Sequence, residues 1–339
     1  MKTSKLKKNG SILLILFALA IHRPAYLVAQ NKETIKVSDK EVLNAVALYD
    51  KEDYQKAKVL LEAIISKNDK NADAHYALGM VLLKLNKADD AEDEAKSAIK
   101  VNSNVAEYHY GLAKVYMVQV NSASIFGKMS IAGSIKDELI AALNIDPNHR
   151  LAMISLTGYY TQAPSIAGGD LDKALELATK LLKIDEKQAR VFFVQIYLSK
   201  NNNAKALEEA NNLVKLDEYR GRLMLIQVLK KQPDLVKVEE QYKLIESKFG
   251  TNPDYFAFYN DYGYFLLGQK RIDEAIDKFK KQVQFAPKSA NAHDSLGEGY
   301  LAKKMLKESL AEYKKALEIN PKLKSAKDKI EEINDMLEN

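Results

Sequence analysis

Three histidines offer the side chains best suited to metal chemistry in this sequence: His75, His109 and His293. Each stands three residues before a leucine (Leu78, Leu112 and Leu296), and His75 and His109 are 34 residues apart. Imidazole is a common metal ligand, and a carboxylate such as Asp73 would be a third donor. A metal site also needs groups that orient its ligands, and the sequence supplies none around these rings. A flat ring filling a slot between helices accounts for the spacing, so no metal and no cofactor is expected. Residues 69–73 (D-K-N-A-D) open like a calcium loop, but Ala74 stands where the turn requires glycine and Met80 where a bidentate Glu belongs. The patterns G-x-S-x-G, H-E-x-x-H and G-x-x-x-x-G-K are all missing. No catalytic residues are expected, and the chain is read as a non-enzyme. With no cysteine, disulfides, thiolate metal sites, cysteine nucleophiles and a lipid-bearing terminal cysteine are excluded.

The elements that carry these residues follow a period. Leu78-Gly79 is followed by Ala91, Ala95 and Ala98; Tyr262-Gly263 by Ala275, Phe279 and Pro287; Leu296-Gly297 by Tyr300, Tyr313, Ala316 and Pro321. These residues, at these intervals over 34 positions, resemble the tetratricopeptide repeat. The resemblance implies an all-α fold, a right-handed solenoid of about eight helical hairpins closed by a C-terminal capping helix. Small residues at Ala57, Ala91 and Ala275 fit the close crossing of the two helices of a hairpin. No stretch alternates with a two-residue period for long enough to form a sheet.

Two repeats depart from the period. Pro147 falls about ten residues late, with the extra residues placed at 121–134, between the two helices of a hairpin. Ala174 falls about five residues late, with the extra residues at 161–170. Both insertions lie at the equivalent turn, so they are expected to be neighbours on one edge. Pro164 sets a turn, Gly168 and Gly169 allow backbone angles closed to other residues, and Asp170 is suited to cap the helix beginning at Leu171. Phe126 and Ile166 are the apolar members of the pair. The loops serve either as a pocket wall or as packing.

The resemblance also implies which face binds. In such arrays the first helix of each hairpin lines the concave groove. That places Tyr49, Tyr76, Met80, Tyr110, Lys114, Met117, Phe193, Tyr197 and Tyr264 there as candidates for holding a protein or peptide. Tyrosine offers a large rigid face and a hydroxyl, and it serves equally well for packing.

Residues 1–30 read as a secretory signal: a basic head (Lys2, Lys5, Lys7, Lys8), an apolar run at 12–21, and cleavage after Ala20 or near Ala29. Of the 51 Lys and Arg, five lie in that stretch, which has no acidic residue; the rest of the chain balances its 46 Asp and Glu. The overall charge therefore gives no support to nucleic-acid binding. A periplasmic or secreted protein with no stable membrane anchor after cleavage is expected. The remaining organisation reads as an array over 38–188, degenerate helical repeats over 189–250 and a repeat pair with its cap over 254–339, with 250–253 as a bend. The motifs Ala163-Pro164 and Gly168-Gly169 resemble an exported bacterial subgroup with an A-P-x-x-x-G-G insertion. More distantly, the chain is similar to the T-component proteins of tripartite periplasmic transporters. The function these readings imply is a scaffold that binds a protein or peptide in its groove. The second reading is a small-ligand or lipid-binding accessory protein of an envelope transport system, with its pocket at the insertions.

Overall fold

The computed structural model describes residues 34–232 and 234–338, without the side chains of Ile125 and Phe126. The export segment expected over residues 1–30 and the candidate side chain of Phe126 lie outside the described residues. Among the described residues there are 17 α-helices and no strand. None of these helices is long and apolar enough to cross a membrane.

The chain divides into two compact units, one ending at Met224 and one beginning at Leu225. The first unit holds five hairpins. They are α1 (Lys40–Asp50) with α2 (Tyr54–Lys67), α3 (Ala72–Lys84) with α4 (Ala88–Val101), and α5 (Ala106–Gln119) with α6 (Ile125–Ile145). The next two are α7 (Arg150–Gln162) with α8 (Leu171–Leu181) and α9 (Glu186–Ser199) with α10 (Asn203–Leu216). Helix α11 (Glu218–Lys230) contains the division. The second unit continues with α12 (Leu235–Phe249), α13 (Phe258–Gly268) and α14 (Ile272–Phe285), then α15 (Ala290–Ala302), α16 (Leu306–Ile319) and a last helix α17 (Lys324–Glu338). Residues 250–253 lie inside the second unit, where the Tyr259 hydroxyl donates to the Gly250 carbonyl at 2.9 Å.

The hairpin is written locally. Five first helices end on a residue of positive φ: Glu52, Asn86, Asn201, Lys270 and Lys304, with φ between 57° and 64°. In each case the next amide bonds back to a carbonyl five residues earlier, as in Asp53 to Leu48 and Arg271 to Leu266. That is a Schellman stop, which satisfies carbonyls the helix end would orphan. Asp53 and Asn202 then cap the following helix by accepting from Lys56 and Lys205 amides.

Packing supplies the rest. Ala57, Ala91 and Ala275 are fully buried at the opening of second helices, as their size requires. Gly263 faces the Phe279 ring so closely that an added Cβ would lie 2.4 Å from it. Successive first helices lie side by side, and each second helix also meets the next hairpin: Tyr242 of α12 stacks on Tyr262 of α13 with ring centroids 4.6 Å apart.

The first insertion corrects the sequence expectation. Only 121–124 form the connection; from Ile125 onward the extra residues are helix. Helix α6 has 21 residues where α4 has 14. Ser124 accepts from the Gly127 amide and starts this helix early. Ser and Gly at 130, 133 and 134 read as loop residues, yet the Lys, Met, Ile and Ala at 128, 129, 131 and 132 are adequate helix formers once capped.

Candidate interaction surface

The first-helix candidates separate into two groups. Tyr49, Tyr76, Met80, Tyr110 and Phe193 are each only 2–6% exposed. This corrects their placement on an open groove wall: they pack between neighbouring helices. Tyr76 lies against Gly111, where an added Cβ would be 2.6 Å from its ring, and its centroid is 5.3 Å from that of Tyr108. Tyr110 packs on His149 at 5.2 Å. Tyr49 meets Tyr54 edge-on at 5.4 Å. Gly111 on the next first helix leaves room for Tyr76 and Met80 to turn inward, so a tyrosine that would reach solvent on a lone hairpin is buried in the stack.

Lys114, Met117 and Tyr197 are half-buried and Tyr264 is 36% exposed. Lys114 stands over the Tyr110 ring at 5.9 Å. Tyr197 stacks on Phe193 at 6.2 Å, and Lys205 lies 5.4 Å from its centroid.

In the second unit, Tyr264 is the centre of a polar surface that the sequence reading missed. Its hydroxyl lies 2.8 Å from Glu298 Oε2 and 3.2 Å from Ser295 Oγ. Asp294 accepts from the Ser325 hydroxyl at 3.1 Å. Asp261, on the same helix as Tyr264, remains exposed. Burial pushes the Tyr264 hydroxyl well up, and the neighbouring Glu298 adds to it. Desolvation raises the Asp294 carboxyl. It also raises Asp261, against the pull of Lys230, whose own ammonium is lowered by desolvation. Lys230 Nζ is 2.9 Å from the Tyr242 hydroxyl. Helices α13 and α15 thus present one tyrosine among carboxylates, and α17 adds the Ser325 hydroxyl. The period carried the signal: Tyr264 and Glu298 are 34 residues apart, as are Asp261 and Ser295.

Family models described as tetratricopeptide repeat match residues 48–115 and 290–323. Over those residues the chain carries tetratricopeptide repeats. Solved structures agree with this at the level of fold. Yeast Tom70 superposes with a TM-score of 0.68 at 14% identity, covering 98% of this chain and 72% of that one. A tetratricopeptide repeat protein from Parabacteroides merdae gives a TM-score of 0.53 at 15% identity, covering 87% of this chain and 97% of that one. No curated protein matches the chain in sequence.

Within the repeats, the histidines are clips. Nδ1 of His75, His109 and His293 each lies 2.6 Å from a carboxylate of the second helix: Glu94, Glu138 and Glu312. Nε2 in turn faces the carbonyl of Asp69, Ser103 or Pro287 at 2.9–3.0 Å. Both ring nitrogens are engaged, and each ring ties the inter-repeat turn to its own hairpin.

The second insertion is closed by its own bonds. Pro164 precedes a 3-10 turn over Ser165–Ala167, and Gly168 has φ 87°. At Gly169 an added Cβ would lie 1.7 Å from the Ala163 carbonyl oxygen, so only glycine fits. The Tyr159 hydroxyl donates to the Ala167 carbonyl. Asp170 caps α8 by accepting from the amides of Asp172 and Lys173. Ile166 is 77% exposed. The turn touches α6, and the Lys136 side chain comes within 3.8 Å of the space beside Gly168.

Proposed function

We propose that this chain is a non-enzymatic, exported scaffold that holds a protein or peptide partner against the inner helices of its second unit. The observation that carries the reading is the surface of Tyr264, Asp261, Asp294 and Glu298. It lies on the face that repeats of this kind offer to partners: Tyr264 and Asp294 bond to the next helices of that face, while Asp261 and Tyr264 stay exposed and Asp294 and Glu298 half-exposed. An aromatic ring with a hydroxyl, set among carboxylates, suits a partner segment that carries basic residues. Export is supported by the basic head and short apolar run within residues 1–30.

Partner capture from an envelope extract tests this reading. Tyr264→Ala combined with Glu298→Gln is expected to weaken capture by about thirtyfold, the effect of losing about 2 kcal/mol at an interface centre. Helical circular dichroism should stay at the wild-type level. Undiminished capture by a folded double variant contradicts the assignment.

A further inference from the structure

The first unit holds a second arrangement, at the opening turns of α3, α5 and α7. Asp73 and Glu107 are each the second residue of their helix, and His149 caps α7 by accepting from the Ala152 amide at 3.1 Å. With Nδ1 accepting, the His149 proton sits on Nε2, 3.2 Å from Glu107. Lys36 Nζ reaches the other Glu107 oxygen at 3.0 Å. Burial works to raise the Glu107 carboxyl, but the adjacent His149 and then Lys36 outweigh it and hold the carboxyl below its ordinary value. Asp73, only 7% exposed, accepts at Oδ2 from the Ser38 amide (2.8 Å), the Ser38 hydroxyl (2.9 Å) and the Asp39 amide (2.7 Å). Its Oδ1 accepts from the Tyr108 hydroxyl at 2.6 Å.

The segment that makes these contacts is not part of a helix. Residues 34–39 precede α1 without regular structure. Their side chains alternate. Ile35, 7% exposed, joins the apolar cluster that includes Tyr76, Tyr108 and Leu112, and Val37 packs against the same cluster. Lys36 and Ser38 face the two carboxylates. Alternation of this kind is how an extended peptide divides its side chains between two sides. The short stretch crosses two successive repeats, and its contacts are those of a docked ligand.

We infer that the rim of Asp73, Glu107 and His149 is a binding site for an extended peptide with a lysine between two apolar residues, occupied in this chain by its own residues 35–38. A partner segment of that pattern competes with the chain's own. A tethered segment acts at high effective concentration, so the site takes an outside peptide only when its own segment is displaced or weak. This site is in the first unit, and its failure would leave the Tyr264 proposal standing.

The test uses the full chain and a synthetic peptide of residues 31–38 (N-K-E-T-I-K-V-S), blocked at both ends, followed by calorimetry. In one variant the chain's own segment is disabled by Ile35→Ser, Lys36→Ser and Val37→Ser. The peptide is expected to bind this variant saturably, and at least tenfold more tightly than it binds the wild-type chain. Replacing the second lysine of the peptide, the one matching Lys36, by glutamine, or adding Glu107→Gln to the variant, should weaken binding at least fivefold. No saturable binding overturns the inference. So does equal affinity for variant and wild type, or indifference to the lysine. If the triple variant fails to fold, Lys36→Gln alone serves, since that side chain is 71% exposed. The peptide should then bind it at least threefold more tightly than wild type, and equal binding overturns the proposal.

Discussion

At the scale of single residues, the same side chain does two jobs depending on what the next repeat brings. Tyr76 is 4% exposed because Gly111 lets it lie against the following helix; Tyr264 stays at the surface with its hydroxyl on Glu298. Glycine decides the fit again at Gly263, whose bare face receives the fully buried Phe279 ring. Gly263→Ala is expected to destabilise the second unit by about 1–3 kcal/mol, the usual cost of overpacking. Gly268→Ala, with nothing within 4 Å of the new methyl, should leave stability unchanged or slightly raised. Urea denaturation of both variants checks the contrast, and equal midpoints would contradict it. The sequence showed that these positions belong to one repeating slot. It did not show which tyrosines would be buried, because burial is settled by the neighbouring repeat. Composition hid Asp261 and Glu298 as well, since carboxylates on helices usually mark only solvated faces. Their spacing from Ser295 and Tyr264 was the available sign.

At the scale of the element, the hairpin turn is the most regular device in the chain. Glu52, Asn86, Asn201, Lys270 and Lys304 all take the left-handed conformation at the same step, although asparagine is the only one of these residue types that adopts it readily. Lys270→Gly and Lys304→Gly are each expected to stabilise the fold by about 0.5–1 kcal/mol, relief of the left-handed strain being partly offset by glycine's entropy. Thermal melting reads this directly, and a lower midpoint for both would count against the Schellman assignment. Among the described residues, the turns that lack this residue are at 120–124, 163–170 and 231–234. Two of those three are where the period slips, so the slips were legible as positions. Their form was only half legible. The glycine pair and Asp170 behave as the residue types dictate, while the extra turns of α6 depend on a single Ser124 cap that a loop reading passes over.

At the scale of the whole molecule, the 34-residue period accounts for the hairpins of both units, including those at 189–250, where the motif itself has decayed. Apolar stripes with small residues at the crossings are enough to maintain the stack there, as Ala206 and Ala210 show by their complete burial. A repeat array supplies surface, and chemistry comes from whichever side chains the packing leaves over. By that reasoning the proposed function rests on Tyr264 and its carboxylates. Site-specific photo-crosslinking in envelope extract tests the claim most directly. A benzophenone amino acid is placed at position 264 on the inner helix, or at position 236 on α12, where Val236 is 71% exposed. The account predicts a discrete crosslinked partner from position 264 and none from position 236; a partner crosslinked from 236 and absent from 264 would contradict it.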